Sequence, residues 1–167
     1  MTALIAAFAG VLGISVGRYW DTRAESVRWR RDQTTTVYQR FAEQFKAFDE
    51  ALRVVAFADP SSADYQRLVD QVRTEQFPAW DSALAALWLH GDRDVVLAAV
   101  SLDRAIAKLF YDALDRQVGS IEEWRKAGRP ARQAFDRFIE TARRELRLPA
   151  VPVNFYVGAI DPVASEE

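Results

Sequence analysis

The sequence predicts an all-α protein, in which an amino-terminal transmembrane helix continues into the long first helix of a four- to five-helix bundle, followed by an extended carboxyl-terminal tail. Three observations support this fold class. Residues 1–17 carry no charged side chain, whereas the rest of the chain is polar. Neither glycine nor proline, the strongest helix breakers, occurs between Arg18 and Ala58. Apolar residues further along recur at steps of three and four, the spacing of one helix face.

Residues 1–20 are predicted to form a membrane anchor. Arg18, Tyr19 and Trp20 follow the uncharged run directly, which is the order expected where aromatic rings and arginine lie among lipid headgroups. A helix over residues 2–17 rises about 24 Å, so these three residues are needed to approach a hydrocarbon thickness of about 30 Å. No basic residue precedes the run and no small-residue cleavage site follows it, which favours an anchor over a cleaved signal peptide.

Arginines lie on the carboxyl side of this segment, and the positive-inside rule then predicts an inner (plasma) membrane protein with its amino terminus outside and its carboxyl-terminal domain in the cytoplasm. Residues 21–36 are predicted to form a basic juxtamembrane helical stalk, whose arginines either contact anionic lipid or form a solvated face. Within it, residues 34–36 are three threonines, which are poor helix formers, so a kink or hinge is expected there. The residues expected at the membrane interface are Arg18, Tyr19, Trp20, Arg23, Arg28, Trp29, Arg30 and Arg31.

Small residues share one face of the predicted anchor. They are Ala6, Gly10, Gly13 and Gly17, spaced four, three and four apart. The last two form a GxxxG pair, which allows two helix backbones to approach closely. This face is therefore predicted to pack in the membrane, against a second copy of the chain or against a partner protein in the membrane; a cytosolic partner of the bundle is also open.

Residues 37–148 are predicted to form the bundle. The first helix repeats apolar residues at heptad spacing, as in a coiled coil, and this stripe is expected to enter the core. Its members are Tyr38, Phe41, Phe45, Phe48, Leu52 and Val55. Ser61, with Asp64 three residues later, is predicted to cap a second helix, and Pro78 is expected in the first turn of a third.

A fourth helix is predicted from about Arg93 to Val118. Its apolar seam is Ala99, Leu102, Ile106, Leu109 and Ala113. Ser120 and Glu123 form a capping box that opens a fifth element, which Pro130 is expected to disturb. Residues 149–167 contain three prolines and are predicted to be an extended tail that lies along the bundle.

The composition excludes several classes of function. The chain has no cysteine, which removes disulfides, thiolate ligands and cysteine nucleophiles, and its net charge of −2 gives no reason to expect nucleic acid as a partner. His90 is the only histidine, so a two-histidine di-iron site cannot form. The His90-Gly91-Asp92 run is interpreted as the end of one helix and the cap of the next. We therefore expect no metal, no cofactor and no enzymatic activity.

Three functions remain open. The first is a membrane-anchored helical interaction or scaffold protein that self-associates or holds a partner. The alternative is a helical sensor in which Phe41, Phe45 and Phe48 line a site for a small apolar ligand, although this spacing also fits an ordinary core. The third is an enzyme that uses His90 and Asp92.

Two short motifs resemble a known class of sequences. They are Trp29-Arg30-Arg31-Asp32-Gln33 and Val37-Tyr38-Gln39-Arg40-Phe41. Over residues 3 to about 52 the chain resembles uncharacterised bacterial single-pass membrane proteins, many of them actinobacterial, which have a basic juxtamembrane helix and a helical cytoplasmic remainder. The resemblance implies this topology and carries no activity with it.

Overall fold

The computed structural model describes residues 2–115 and 118–151; for residues 2–28 and for Arg30 it describes the course of the helix but not the side chains. The described chain is helical and contains no strand. It divides into two compact units, Met1–Thr36 and Val37–Glu167. The all-α prediction is therefore confirmed.

Helix α1 spans Thr2–Phe57. The threonines at which a kink or hinge was expected lie inside α1, and two of their hydroxyl groups bond within the helix. Thr35 Oγ1 donates to the carbonyl of Arg31 at 2.8 Å, and Thr36 Oγ1 donates to that of Asp32 at 3.0 Å. Such bonds to the carbonyl four residues earlier satisfy a threonine inside a helix.

Residues 1–20, the predicted anchor, lie outside the part of the chain whose side chains are described. In the part that is described, no helix is both long enough and apolar enough to cross a membrane. The packing face and the interface predicted for the anchor therefore stay predictions.

The second unit is a helical bundle. It contains the end of α1 together with α2 (Ala63–Gln71), α3 (Phe77–His90), α4 (Arg93–Asp115) and α5 (Ile121–Glu145). A π-helical turn, Val72–Gln76, joins α2 to α3, so that residues 63–90 form one continuous helical segment. The prediction that Pro78 lies in the first turn of a third helix is confirmed, although no loop separates this helix from α2. The Phe77 N–H donates to the carbonyl of Val72, five residues earlier, and this wider turn admits the proline, which has no N–H to donate.

The cap of α2 differs from the prediction by one residue. The N–H of Tyr65 donates to Ser62 Oγ at 3.2 Å, so Ser62 is the N-cap. Ser61 instead turns towards Asp59 Oδ1, to which its N–H and its hydroxyl donate at 2.8 and 2.7 Å. Both serines precede the helix and can accept such a bond, and the turn built on Asp59 decides between them.

The start of α5 confirms the predicted cap, since the N–H of Glu123 donates to Ser120 Oγ at 3.2 Å. The reciprocal bond of the capping box involves the residue before the N-cap, since the N–H of Gly119 donates to Glu123 Oε2 at 2.8 Å. Pro130 lies inside α5, which continues through it. The expected disturbance therefore does not end the helix.

Aromatic side chains fill the core of the second unit. The predicted α1 stripe is confirmed, since all six of its members are buried and Phe41, Phe45 and Leu52 are fully enclosed. The predicted α4 seam is buried as well. The largest fully buried side chains from the remaining helices are Trp80, Leu87, Trp124, Phe135 and Phe138.

Helix α5 ends in a Schellman motif that carries arginine where glycine is usual. Arg147 has a φ of 54°, in the left-handed region. Its N–H donates to the carbonyl of Arg144 at 3.1 Å, and the N–H of Leu148 donates to that of Arg143 at 2.9 Å. These are the two bonds of the motif, and they turn the chain back at the helix end.

We expect Arg147→Gly to raise the free energy of unfolding by up to about 1 kcal/mol, because glycine adopts the left-handed conformation without steric cost. Urea-induced unfolding followed by tryptophan fluorescence measures the change. The matched control is Arg137→Gly, at an exposed position inside α5, where the same substitution should destabilise by about 1 kcal/mol. Effects of the same sign at both positions would contradict the assignment of the motif.

Candidate interaction surface

The described residues bring together no group of three or more His, Cys, Asp or Glu side chains that could hold a metal ion. His90 is exposed in the last turn of α3. Asp92 Oδ1 accepts hydrogen bonds from the N–H groups of Asp94 and Val95, at 3.0 and 3.1 Å, and so caps α4. His90 and Asp92 thus occupy helix termini, as the sequence indicated.

Gly91, between them, is required for close approach rather than for a left-handed turn. Its φ of −83° and ψ of 154° are extended, not left-handed. A Cβ at this position would lie 2.9 Å from the carbonyl oxygen of Leu87 and 3.2 Å from Tyr38 Oη. The glycine therefore lets α1 and the α3–α4 loop meet.

Glu145 joins three elements at this end of the second unit. Its Oε2 accepts a hydrogen bond from Tyr38 Oη on α1, and the N–H of Asp92 approaches the same atom at 3.5 Å. Burial, followed by the hydrogen bond to Glu145, raises the pKa of Tyr38 above its ordinary value. The hydroxyl therefore remains a donor at neutral pH. We refer to Tyr38, Asp92 and Glu145 as the Glu145 junction.

The three phenylalanines proposed to line a ligand site pack against other rings. Phe41 lies 4.5 Å from Trp80 between ring centroids, and Phe45 stacks on Phe135 at 4.3 Å. Phe48 contacts Trp80 as well, at 5.9 Å. These rings occupy the space between the helices, so a ligand there would have to displace one of them.

A charged pair lies beside these rings, between α1 and α5. Arg132 Nη2 is 3.9 Å from Asp49 Oδ1, and the two side chains are only 11% and 16% exposed. Asp49 Oδ1 is buried and accepts no hydrogen bond within the described chain. Burial raises the pKa of Asp49, and the charge of Arg132 opposes that rise. The charge of Arg132 is the largest influence that lowers this pKa, and that of Arg53 acts in the same direction.

Residues of α5 itself hold the arginine in place. Arg132 Nη1 donates to the carbonyl of Arg125 at 3.1 Å. A Cβ at Gly128 would lie 2.8 Å from Arg132 Nη2, so glycine leaves the space that the guanidinium occupies. Pro130 cannot donate to the carbonyl one turn earlier, and the guanidinium supplies a donor to the adjacent carbonyl in that turn. The same side chain thus contacts α1 through Asp49 and bonds to the backbone of its own helix.

The outer face of α5 carries four exposed cations spaced three, eight and seven residues apart, which places them on one side of the helix. This basic stripe consists of Lys126, Arg129, Arg137 and Arg144. It extends about 27 Å at 1.5 Å per residue. Glu140 lies between its last two members and is 3.8 Å from Arg144.

An open groove of about 560 Å³ runs between α4 and α5 beside the basic stripe. The α4–α5 groove is lined by Asp94, Leu97, Ala98, Ser101, Arg137, Glu140, Thr141 and Arg144. Leu97 is 56% exposed on its wall. The lining of the groove thus combines two carboxylates, two guanidinium groups and the apolar side chains of Leu97 and Ala98.

Most of the residues that the sequence predicts to be functional lie outside the basic stripe and the α4–α5 groove. Trp29 is 62% exposed and Arg31 is exposed as well. The other predicted interface residues and the four small residues of the packing face lie where no side chain is described. The basic stripe was not predicted, although its spacing along residues 126–144 is visible in the sequence.

No family model, no curated protein and no solved structure matches the chain. The likeness of residues 3–52 to bacterial single-pass proteins therefore stays a prediction. The candidate surface rests on its own geometry, namely the basic stripe, the α4–α5 groove and the core that supports them.

Replacing Arg132 with methionine should destabilise the second unit by about 3 kcal/mol at pH 7, because the buried Asp49 carboxylate loses its cation. Burial already raises the pKa of Asp49, so the folded state accommodates the protonated carboxyl better than the ionised one. Without the arginine this pKa rises further, and the loss of stability should shrink as the pH falls towards 5. Urea unfolding at both pH values measures the effect.

The control for this substitution is Arg53→Met on α1. Arg53 pairs with Glu50 at 2.6 Å, but the side chains are 45% and 59% exposed. Its removal should cost much less, since solvent screens an exposed pair. Equal losses for the two variants, or a loss at Arg132 that grows on acidification, would show that burial of Asp49 does not set the effect.

Proposed function

We propose that this chain is a single-pass protein of the inner (plasma) membrane whose second unit is a cytoplasmic interaction or scaffold module. The observation that carries the proposal is the contrast between the interior and the surface of that unit. Its interior is filled by aromatic side chains, whereas its surface presents the basic stripe and the α4–α5 groove. In a unit of this kind, partners bind at the surface and not in the interior.

The anchor is supported by the order of residue types at the amino terminus. An uncharged run over residues 1–17 is followed by Arg18, Tyr19 and Trp20. Trp29, with 62% of its surface exposed, suits a contact with lipid headgroups or a partner. Arginines follow the run, which favours an amino terminus outside the cell.

The charge of the surface favours an anionic partner. The four cations on one face of α5 attract phosphate headgroups or acidic protein segments, and arginine, which supplies three of them, binds both in a bidentate way. On the cytoplasmic side of the membrane, anionic lipids provide such a surface next to the anchor. Membrane lipid and an acidic cytosolic partner are therefore the occupants that this face suits.

Self-association is the second part of the proposal. Ala6, Gly10, Gly13 and Gly17 share one helix face, and such faces allow close packing of membrane helices. A dimer would present two basic stripes to the same partner and increase its avidity.

The topology can be tested by cysteine labelling in intact cells, because the chain has no cysteine of its own. The variants are Thr2→Cys, Ser26→Cys, Ser61→Cys and Ser165→Cys, each treated with a membrane-impermeant maleimide. We expect Thr2→Cys to react in intact cells and the other three to react only after permeabilisation.

Reaction of the last three variants in intact cells would place the second unit outside and overturn the topology. Recovery of the chain in the soluble fraction, with all four cysteines reactive only after lysis, would overturn the anchor itself. Ser61 is exposed in the loop between α1 and α2, so failure to label it in intact cells cannot be attributed to burial.

Replacement of both Gly13 and Gly17 with leucine should abolish a dimer trapped by chemical crosslinking in membranes, since the larger side chains separate the two backbones. The control variant carries Val11→Leu and Ser15→Leu, which add bulk to the opposite face of the same helix. It should retain the dimer. Unchanged crosslinking in the first variant would rule out this packing face.

A further inference from the structure

The outer face of α3 is apolar, unlike the helical turns that precede it. In the continuous segment 63–90, residues 63–76 carry five Asp, Glu or Arg side chains, whereas residues 77–90 carry one, Asp81. Trp88 and Leu89, adjacent in the last turn of α3, are 61% and 81% exposed. A helix that is apolar on all sides is normally covered on all sides. The described residues cover only the inner side of α3, which leaves this exposed apolar face to a partner.

The exposed residues of α3 are arranged by size. At about 100° per residue they lie on the side of the helix opposite the buried Trp80, Ala83 and Leu87. In chain order this α3 face consists of Pro78, Asp81, Ser82, Ala85, Trp88 and Leu89. Short side chains therefore occupy its first turns, and the two largest side chains occupy its last turn.

A second copy of the α3 face, packed antiparallel, complements this arrangement. With a two-fold axis at Ala85, the turn before the axis in one copy lies against the turn after it in the other. Asp81 and Trp88 lie on one flank of the face, and Ser82 and Leu89 lie on the other. Trp88 of each copy then lies beside Asp81 of the other, and Leu89 lies beside Ser82. The large end of one helix thus fills the space over the short side chains of its mate, and the small residue at the axis lets the helices approach.

Charge favours the antiparallel direction. The indole N–H of Trp88 is a donor and the Asp81 carboxylate is an acceptor, and a hydrogen bond to an ionised group is stronger than one between neutral groups. The chain makes the same kind of bond inside its second unit, where Trp80 Nε1 donates to Asp103 Oδ1 at 2.8 Å. Parallel packing would instead bring the two Asp81 carboxylates side by side, where they repel each other.

The acidic residues also make a lipid surface a poor occupant of the α3 face. Asp81 lies within the face, and a carboxylate is costly to place in hydrocarbon. Asp92 and Asp94 follow α3 and are exposed, against one exposed cation between them, Arg93. The end of α3 that carries Trp88 therefore does not attract anionic headgroups.

The size of the α3 face determines the strength of the contact. Its 14 residues extend about 21 Å, and a helix is about 10 Å wide, so the face covers roughly 200 Å² in projection. A stable interface buries about 800 Å² of accessible surface on each partner. The contact is therefore weak between free molecules. Copies anchored in one membrane meet at a higher effective concentration, at which a small contact can form.

We propose that the α3 faces of two copies pack antiparallel around Ala85 and join the second units of a dimer. The inference deepens the proposed self-association, and it rests on the proposed anchor for the local concentration that a small contact needs. Helix α5 takes no part in this contact, so each copy keeps its basic stripe for an anionic partner.

Disulfide trapping of single-cysteine variants of the full chain in native membranes tests the contact, since the chain has no cysteine of its own. The test variant is Ala85→Cys, at an exposed position on the axis where the same residue of both copies meets. The control is Tyr111→Cys, which is 61% exposed on α4, away from the α3 face. Under mild oxidation we expect a disulfide-linked dimer to form several times faster in the test variant. Equal rates would overturn the contact.

Ser82→Cys, a nearly isosteric change at another exposed position of the face, tests the direction of packing. In the antiparallel dimer the two copies of this residue are about 9 Å apart along the helix axis, beyond the Cα separation of about 7 Å that a disulfide can bridge. Trapping should therefore be slower than in Ala85→Cys. Equal trapping at the two positions would overturn the antiparallel arrangement, because parallel helices bring every residue of the face against its own copy.

The role of Trp88 is tested in the Ala85→Cys variant. Adding Trp88→Ala should slow trapping several-fold, whereas adding Tyr111→Ala, which removes an equally exposed aromatic side chain outside the face, should not. Equal slowing by both would overturn the proposed contact. Absence of a disulfide, together with protection of the Ala85→Cys thiol from a water-soluble maleimide, would also overturn it, since lipid or an unrelated protein would then cover the face.

The contact and the anchor fail in different ways. A chain that is recovered in the membrane fraction but does not trap in the Ala85→Cys variant would overturn the α3 contact and leave the anchor. A chain that is recovered in the soluble fraction and still traps at this position would overturn the anchor and leave the α3 contact.

Discussion

The second unit depends on the ring contacts that α1 makes with the helices around it. Phe45 stacks on Phe135 of α5 with centroids 4.3 Å apart, and Phe41 touches both Trp80 of α3 and Phe138 of α5. All of these rings are almost fully enclosed. Each buried aromatic removes a large apolar area from water and adds a directional contact, so these rings join α1 to both α3 and α5.

The sequence predicted the structure correctly where a single physical rule determines it. Heptad spacing placed Phe41, Phe45 and Phe48 in the core because only one face of a helix can be buried. It was a poorer guide to where helices join or continue. A π-helical turn connects α2 directly to α3, and α5 continues through Pro130. Neither continuity has a local sequence signature, because a proline taken alone indicates a break.

The candidate surface was harder to anticipate for a different reason. The chain has 19 arginines and 3 lysines, and such residues occur in α1, α2, α4 and α5. Their number alone therefore does not distinguish a binding face from a solvated one. Burial makes the distinction: Arg132 is enclosed beside Asp49, whereas the cations of the basic stripe are exposed. The groove beside them is formed by α4 and α5 together, so the sequence of neither helix alone predicts it. The same holds for Gly91, whose role depends on the position of Tyr38.

The Glu145 junction has a consequence for biosynthesis. Tyr38 and Glu145 are 107 residues apart, so the bond between them cannot form until nearly the whole unit has been translated. At a ribosomal rate of about 5–20 residues per second, the aromatic stripe of α1 remains without its α5 contacts for roughly 5–20 s. During that interval it resembles the exposed apolar surface that chaperones bind. Synthesis of α5, rather than emergence of the first helix, therefore determines when the fold can close.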